Sequence, residues 1–166
     1  MSSTEKSCVA RRVAYLLVVV GLALASSVEM AAQRDALAGT WKLNPAKSTY
    51  SPGPAPRSET VTYEAAGAGV KYSVTQIDDA GTTTRLEGSL MYDGKEYPAT
   101  GTADYDTVAT RRINANTGET VRTKSGKIVQ TVTRVLSADG KTLTLTTKGV
   151  NAKGESISSV AVYERQ

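Results

Sequence analysis

The sequence predicts an all-β fold: a single antiparallel up-and-down barrel of about ten strands behind a cleavable leader. Three observations carry that expectation. Turn signals recur roughly every 9–14 residues from residue 58 onward, near the spacing of antiparallel sandwiches and barrels. The segments between them alternate apolar and polar side chains with the period of a half-buried strand. None of these segments has helical periodicity or helical length. Strands joined in order by short turns favour a meander over a Greek-key sandwich, and closing the meander removes the exposed edges of a long Thr-rich sheet.

Residues 1–32 read as leader and lead-in, and residues 33–166 as the barrel domain. Lys6, Arg11 and Arg12 form a basic region ahead of an apolar run over residues 13–25. That run is shorter than the roughly 20 residues needed to cross a hydrocarbon core. Ala23-Leu24-Ala25 supplies the small residues of a cleavage site, with Ala25-Ser26-Ser27 or a cut near Ala32 as alternatives. The expectation is an exported chain, secreted or periplasmic, with no stable membrane anchor after cleavage.

The only cysteine, Cys8, precedes the apolar run, so the processed chain is expected to hold no thiol and no disulfide. Histidine is absent altogether. Together these absences remove the common nucleophile–base pairs and the usual zinc and copper ligands, and no cofactor is implied. Asp104-Tyr105-Asp106 is the closest approach to an oxygen-ligand cluster, but no calcium-loop spacing surrounds it. The formal charge is +4, and loss of Glu5, Lys6, Arg11 and Arg12 takes away a net +2 and leaves about +2. The remaining charges are interspersed, which argues against a nucleic-acid partner.

In chain order, residues 33–38 form a lead-in, and Trp41 and Leu43 bracket Lys42 on the first strand. Residues 44–57 hold four of the five prolines and read as one long ordered loop across an end of the barrel. Strands are then expected over 59–64, 70–75, 82–91, near 97–102, and over 107–113, 120–123, 128–136, 142–147 and 156–165. Asp93-Gly94-Lys95 is the strongest hairpin signal, since Asp-Gly supplies the positive φ of a tight primed turn. Leu143 and Leu145 alternate with Thr142, Thr144 and Thr146, so the threonine face is expected outside.

The candidate site residues follow from strand phase. Tyr63 is in phase with Val61, and Tyr72 with Val70 and Val74, on what are expected to be neighbouring strands. Both are expected to point inward. In a chain without phenylalanine they combine apolar area with a hydroxyl that can orient a ligand. Arg134 shares a phase with Ile128, Val132 and Leu136, and Arg111 with Ala109 and Ile113. A guanidinium in either place can grip a carboxylate or phosphate bidentately. Val129 and Val135 support the opposite phase at Arg134, and Val108 favours Arg112 over Arg111, so both phases stay open here. Trp41 is read as a structural plug at one end, its indole N–H satisfied by a carbonyl and its face covered by an arginine.

The segments Gly39-Thr40-Trp41-Lys42-Leu43, Asp139-Gly140-Lys141 and Val162-Tyr163-Glu164-Arg165 resemble the calycin group of lipocalins and fatty-acid-binding proteins. Gly-Thr-Trp-Lys-Leu-Asn, the Pro-Gly-Pro loop and the Asp-Gly-Lys turns also resemble a group of small secreted bacterial proteins of no known activity. The calycin resemblance implies a barrel that holds an apolar small molecule or lipid, with Tyr163 at its carboxylate. The family's last strand carries Arg-x-Tyr; here Ala161-Val162-Tyr163 keeps only the tyrosine. A proline-rich loop also replaces the family's helical lid. The combined expectation is a non-catalytic binding protein with Tyr63, Tyr72, Tyr163 and Arg111 or Arg134 around an apolar ligand. Its rival is an envelope interaction module with a side-chain-filled barrel.

Overall fold

The computed structural model describes residues 35–166; the leader and its cleavage site lie outside the described residues. Ten strands run β1 Gly39–Leu43, β2 Ser58–Ala66, β3 Gly69–Ile77, β4 Thr83–Met91, β5 Asp93–Thr100, β6 Thr107–Arg112, β7 Thr117–Lys124, β8 Lys127–Leu136, β9 Thr142–Val150 and β10 Ser156–Arg165. Each pairs antiparallel with the next, and β1 pairs with β10, so the sheet closes into a barrel. This is the ten-stranded meander that the turn spacing predicts. Its only described helical element is a 3-10 turn at Pro45–Lys47, capped by the Asn44 side chain.

Several strands are longer than their alternating cores suggested, because Gly, Thr and Lys at their ends continue the ladder without adding an apolar signal. β5 begins at Asp93, before the expected start near Tyr97, with Gly94 at φ 73° in the connection. Its ladder to β4 is short, limited to Glu87 opposite Thr100 and Gly88 opposite Ala99. β7 reaches back to Thr117, and its register shifts between Arg122 and Thr123. That irregularity explains Ile128. The residue shares the parity of Val132 and Leu136, yet it is 70% exposed because Val129 is an extra residue between Gln130 and Ile128, a bulge on β8 itself that breaks the alternation.

The loop over residues 44–57 is fastened along β10. Thr49 bridges Val160, the Ser158 amide donates to the Ser51 carbonyl, and the Val162 amide donates to Ser48 Oγ. At the opposite end Trp41 is wholly buried among Leu37, Leu43, Leu136 and Leu143. Its indole N–H donates to the Leu37 carbonyl at 2.8 Å, and the Arg165 guanidinium lies 4.3 Å from its ring centre. Arg165 also donates to the carbonyls of Gly140, Ala38 and Ala36, tying the lead-in across this end.

On β9 Leu143 is buried and Leu145 lines the interior, so Thr142, Thr144 and Thr146 take the other face as expected, but threonines elsewhere turn inward. Thr110 and Thr120 are buried inside the barrel and share a 2.9 Å hydrogen bond, while Thr84 and Thr147 line the interior. A threonine carries both a methyl and a hydroxyl, so it fits an interior that is itself partly polar, and its presence does not identify the wet face.

Candidate functional site

The interior holds a cavity of about 370 Å³, reaching from Arg134 in its depth to a mouth formed by the loops at the end opposite Trp41. Alternation along the strands aims its lining inward. β2 contributes Glu59, Val61 and Tyr63, β3 contributes Tyr72, Val74 and Gln76, and β8 contributes Gln130, Val132 and Arg134. Tyr163 enters from β10, Arg122 from β7, Tyr105 from the β5–β6 connection, and Tyr50 from the fastened loop.

Two glycines create the room these large side chains need. Gly88 stands opposite Tyr72 on the neighbouring strand, where a methyl group would come within 2.5 Å of the tyrosine hydroxyl. Gly118 stands opposite Arg134, and a methyl there would lie 3.0 Å from Nη2. Absent side chains on β4 and β7 thus set where the ring and the guanidinium lie. Tyr63 and Tyr72 are cross-strand partners with ring centres 6.5 Å apart and planes tilted by 56°, and together they form part of one wall.

Arg134 is the least balanced group in the barrel. It is 4% exposed, and Nη1 donates to Thr120 Oγ1 at 2.6 Å, while Nε and Nη2 have no hydrogen-bond partner among the described residues. No carboxylate among those residues lies within ion-pair distance of it. Burial pulls its pKa below the ordinary arginine value, the cost of holding a cation out of water.

A second guanidinium, that of Arg122, lies 4.4 Å from the Tyr105 ring centre and donates from Nη1 to Gln130 Oε1 at 2.8 Å. Gln130 is fixed in turn by its donation to the Val150 carbonyl. Arg122 Nε is buried without a partner among the described residues. Glu59 accepts the Tyr163 hydroxyl at 2.6 Å. Burial pushes the Glu59 carboxyl above its ordinary value, opposed in part by that hydrogen bond and by the field of Arg122. Tyr163 is itself raised by burial and, next, by the charge of Glu59. Asp104, at the mouth, accepts the Ala152 amide and so braces two loops.

The structure therefore brings Tyr63, Tyr72, Tyr163 and Arg134 together around one cavity. It does not bring Arg111 there. The buried Val108 and Thr110 fix the phase of β6, and Arg111 turns outward, its side chain 66% exposed and paired with Glu119 at 2.7 Å. Arg112 reaches the closed end instead, where it pairs with Asp35 and stacks on Tyr92.

Arg122, Glu59, Tyr105 and Tyr50 were not singled out from sequence. Glu59 shares the parity of Val61 and Tyr63, which was a usable signal. Arg122 had none, since the inward positions of β7 read Gly118, Thr120 and Arg122 and include no apolar residue.

No protein-family model matches this chain, and no curated protein matches it in sequence. Among solved structures it is similar to the zebrafish ileal bile acid-binding protein, crystallised with cholic acid. The sequence identity is 11%, the match covers 79% of this chain and 99% of that one, and the TM-score is 0.46.

Proposed function

We propose that the barrel is a non-catalytic carrier that encloses a small, largely apolar molecule bearing an acidic group, and that the chain works outside the cytoplasm after losing its leader. Arg134 is the observation that carries this reading. A guanidinium with two unpaired donors at the depth of an aromatic and aliphatic cavity is costly for the empty fold. A carboxylate or comparable acid relieves that cost with charge-assisted hydrogen bonds. The cavity volume of about 370 Å³ lies within the range of roughly 300–1,000 Å³ of small-molecule sites, which weighs against a barrel filled by its own side chains.

The carrier reading also fits the interior chemistry. Of the two carboxylates on the lining, Glu59 accepts a tyrosine hydroxyl and Asp104 accepts a backbone amide. Neither faces a nucleophile–base pair of the kind that acyl transfer requires, and the chain has no histidine to supply one.

Native mass spectrometry of the exported chain, purified without detergent, tests the proposal. The expected result is a discrete added mass that is lost on denaturation and absent from Arg134→Met. A bare chain mass that persists after incubation with a lipid and metabolite extract would overturn the carrier in favour of an interaction module.

A further inference from the structure

We propose that the cavity is built for a two-headed ligand, a medium-length amphiphile with an acidic group at each end. This inference rests on the carrier reading above and specifies its ligand class. Arg134 and Arg122 occupy different depths. Arg134 pairs in register with Gly118, four residues along β7 from Arg122, so the two backbone positions lie about 13 Å apart at roughly 3.3 Å per residue.

The register pair between those levels is Thr120 with Val132, and the walls beside it carry Tyr63, Tyr72 and Val108. The Arg134 guanidinium reaches from the Gly118 level toward Thr120, and the cavity thus reads cation, largely apolar belt, cation along its length. Among the described residues no carboxylate forms an ion pair with either arginine, and the charge of Arg122 adds to the cost of the buried Arg134 cation.

The unsatisfied atoms point the same way. Among the described residues, the lining nitrogens without a partner are Arg134 Nε and Nη2 in the depth and Arg122 Nε toward the mouth, all donors. A ligand must therefore bring acceptors to both levels. Glu59 does not fill that role from within the protein, because its Oε1 accepts from Tyr163 and it makes no ion pair with Arg122. Arg122 is also held ready for a planar acid, with one face on Tyr105 and Nη1 on the tethered Gln130.

A one-headed amphiphile satisfies Arg134 and leaves Arg122 Nε orphaned. A diacid satisfies both. Isothermal titration of the ligand-stripped mature chain with dodecanedioate and with dodecanoate separates the two cases. The diacid is expected to bind at least about tenfold more tightly, the scale of a hydrogen-bonded charge contact. Arg122→Met should erase that advantage, while Arg134→Met weakens both ligands. Arg122→Lys, which retains the charge and the stem, should restore part of the preference.

Equal affinity for the two acids on the wild-type chain, a comparison that needs no variant, would overturn the two-headed ligand and leave the acid-headed carrier standing. Failure of both acids to bind, with a bare native mass, would overturn both readings.

Discussion

Arg165 at the closed end and Arg134 inside the cavity are the same side chain put to opposite uses. Arg165 covers the Trp41 ring and donates to three backbone carbonyls, so its guanidinium is largely satisfied by the fold. Arg134 has one threonine partner and two donors left over. The closed end gains stability from a complete set of contacts, whereas the cavity keeps an incomplete set where a ligand group can complete it. Natural binding sites carry such local costs because selection acts on function above a stability threshold.

Trp41→Ala should give the largest change of any single substitution at the closed end. It empties a fully buried indole site and strands both the Leu37 carbonyl and Arg165. The expected loss is about 3–5 kcal/mol, read by urea unfolding, with no change in ligand preference if the protein is tested well below its melting temperature. Arg134→Met should move stability in the other direction. Replacing a buried, unpaired charge with an apolar chain of similar volume is expected to stabilise the empty barrel by about 1–4 kcal/mol and to abolish acid binding. A loss of stability comparable to that of Trp41→Ala would show that Arg134 is structural like Arg165, and the contrast between the two would collapse.

The glycines sharpen the comparison at a smaller scale. Gly88→Ala drives a methyl against the Tyr72 ring and should cost about 1–3 kcal/mol in the wild-type background. In a Tyr72→Ala background the same substitution should be nearly neutral, giving a coupling energy of about 0.5–3 kcal/mol in a double-mutant cycle. Additive effects would mean that β4 yields to the methyl elsewhere and that Gly88 does not position the ring.

How much of this was legible depends on which side chains lined each strand. The turns wrote the meander plainly, because Asp-Gly and Asn-x-x-Gly connections announce themselves. Tyr63 and Tyr72 were legible because Val61, Val70 and Val74 mark the inner face on their strands. β8 was harder, since the parity of half-buried Val129 and exposed Val135 competes with Val132 and Leu136, and only burial of the even positions from Gln130 onward decides for Arg134. β7 gave no phase, because a polar interior removes the very contrast that periodicity measures. The residues on which the proposed binding site rests are thus the ones whose polarity hides them. Tyr50 and Tyr105 were missed for another reason: both sit outside the strands, on segments where alternation says nothing.

Glu59 offers the smallest effect and the finest test of the mouth. Its carboxyl is raised by burial, so the folded state holds its proton more tightly than the unfolded chain does. Stability from this group is therefore greatest below the unfolded-state value, near pH 4.3, and falls as pH rises through the folded value above it. Asp93, Asp106, Asp139 and Glu164 work the other way. Asp106 and Asp139 are lowered first of all by their hydrogen bonds to Lys124 and Ser137, respectively, and lose stability as pH falls. Glu59→Gln keeps an oxygen for the Tyr163 hydroxyl and removes the charge. It should stabilise the barrel at neutral pH and flatten the decline above pH 4.3, with little effect below it, in melting temperatures taken across the pH range. Because Glu59 also sets a negative charge beside Arg122, the same variant should tighten dodecanedioate binding more than dodecanoate binding. A destabilised Gln variant at neutral pH would instead make the carboxylate a satisfied partner of Tyr163 and Arg122, and the mouth would then be as complete in its contacts as the Trp41 end.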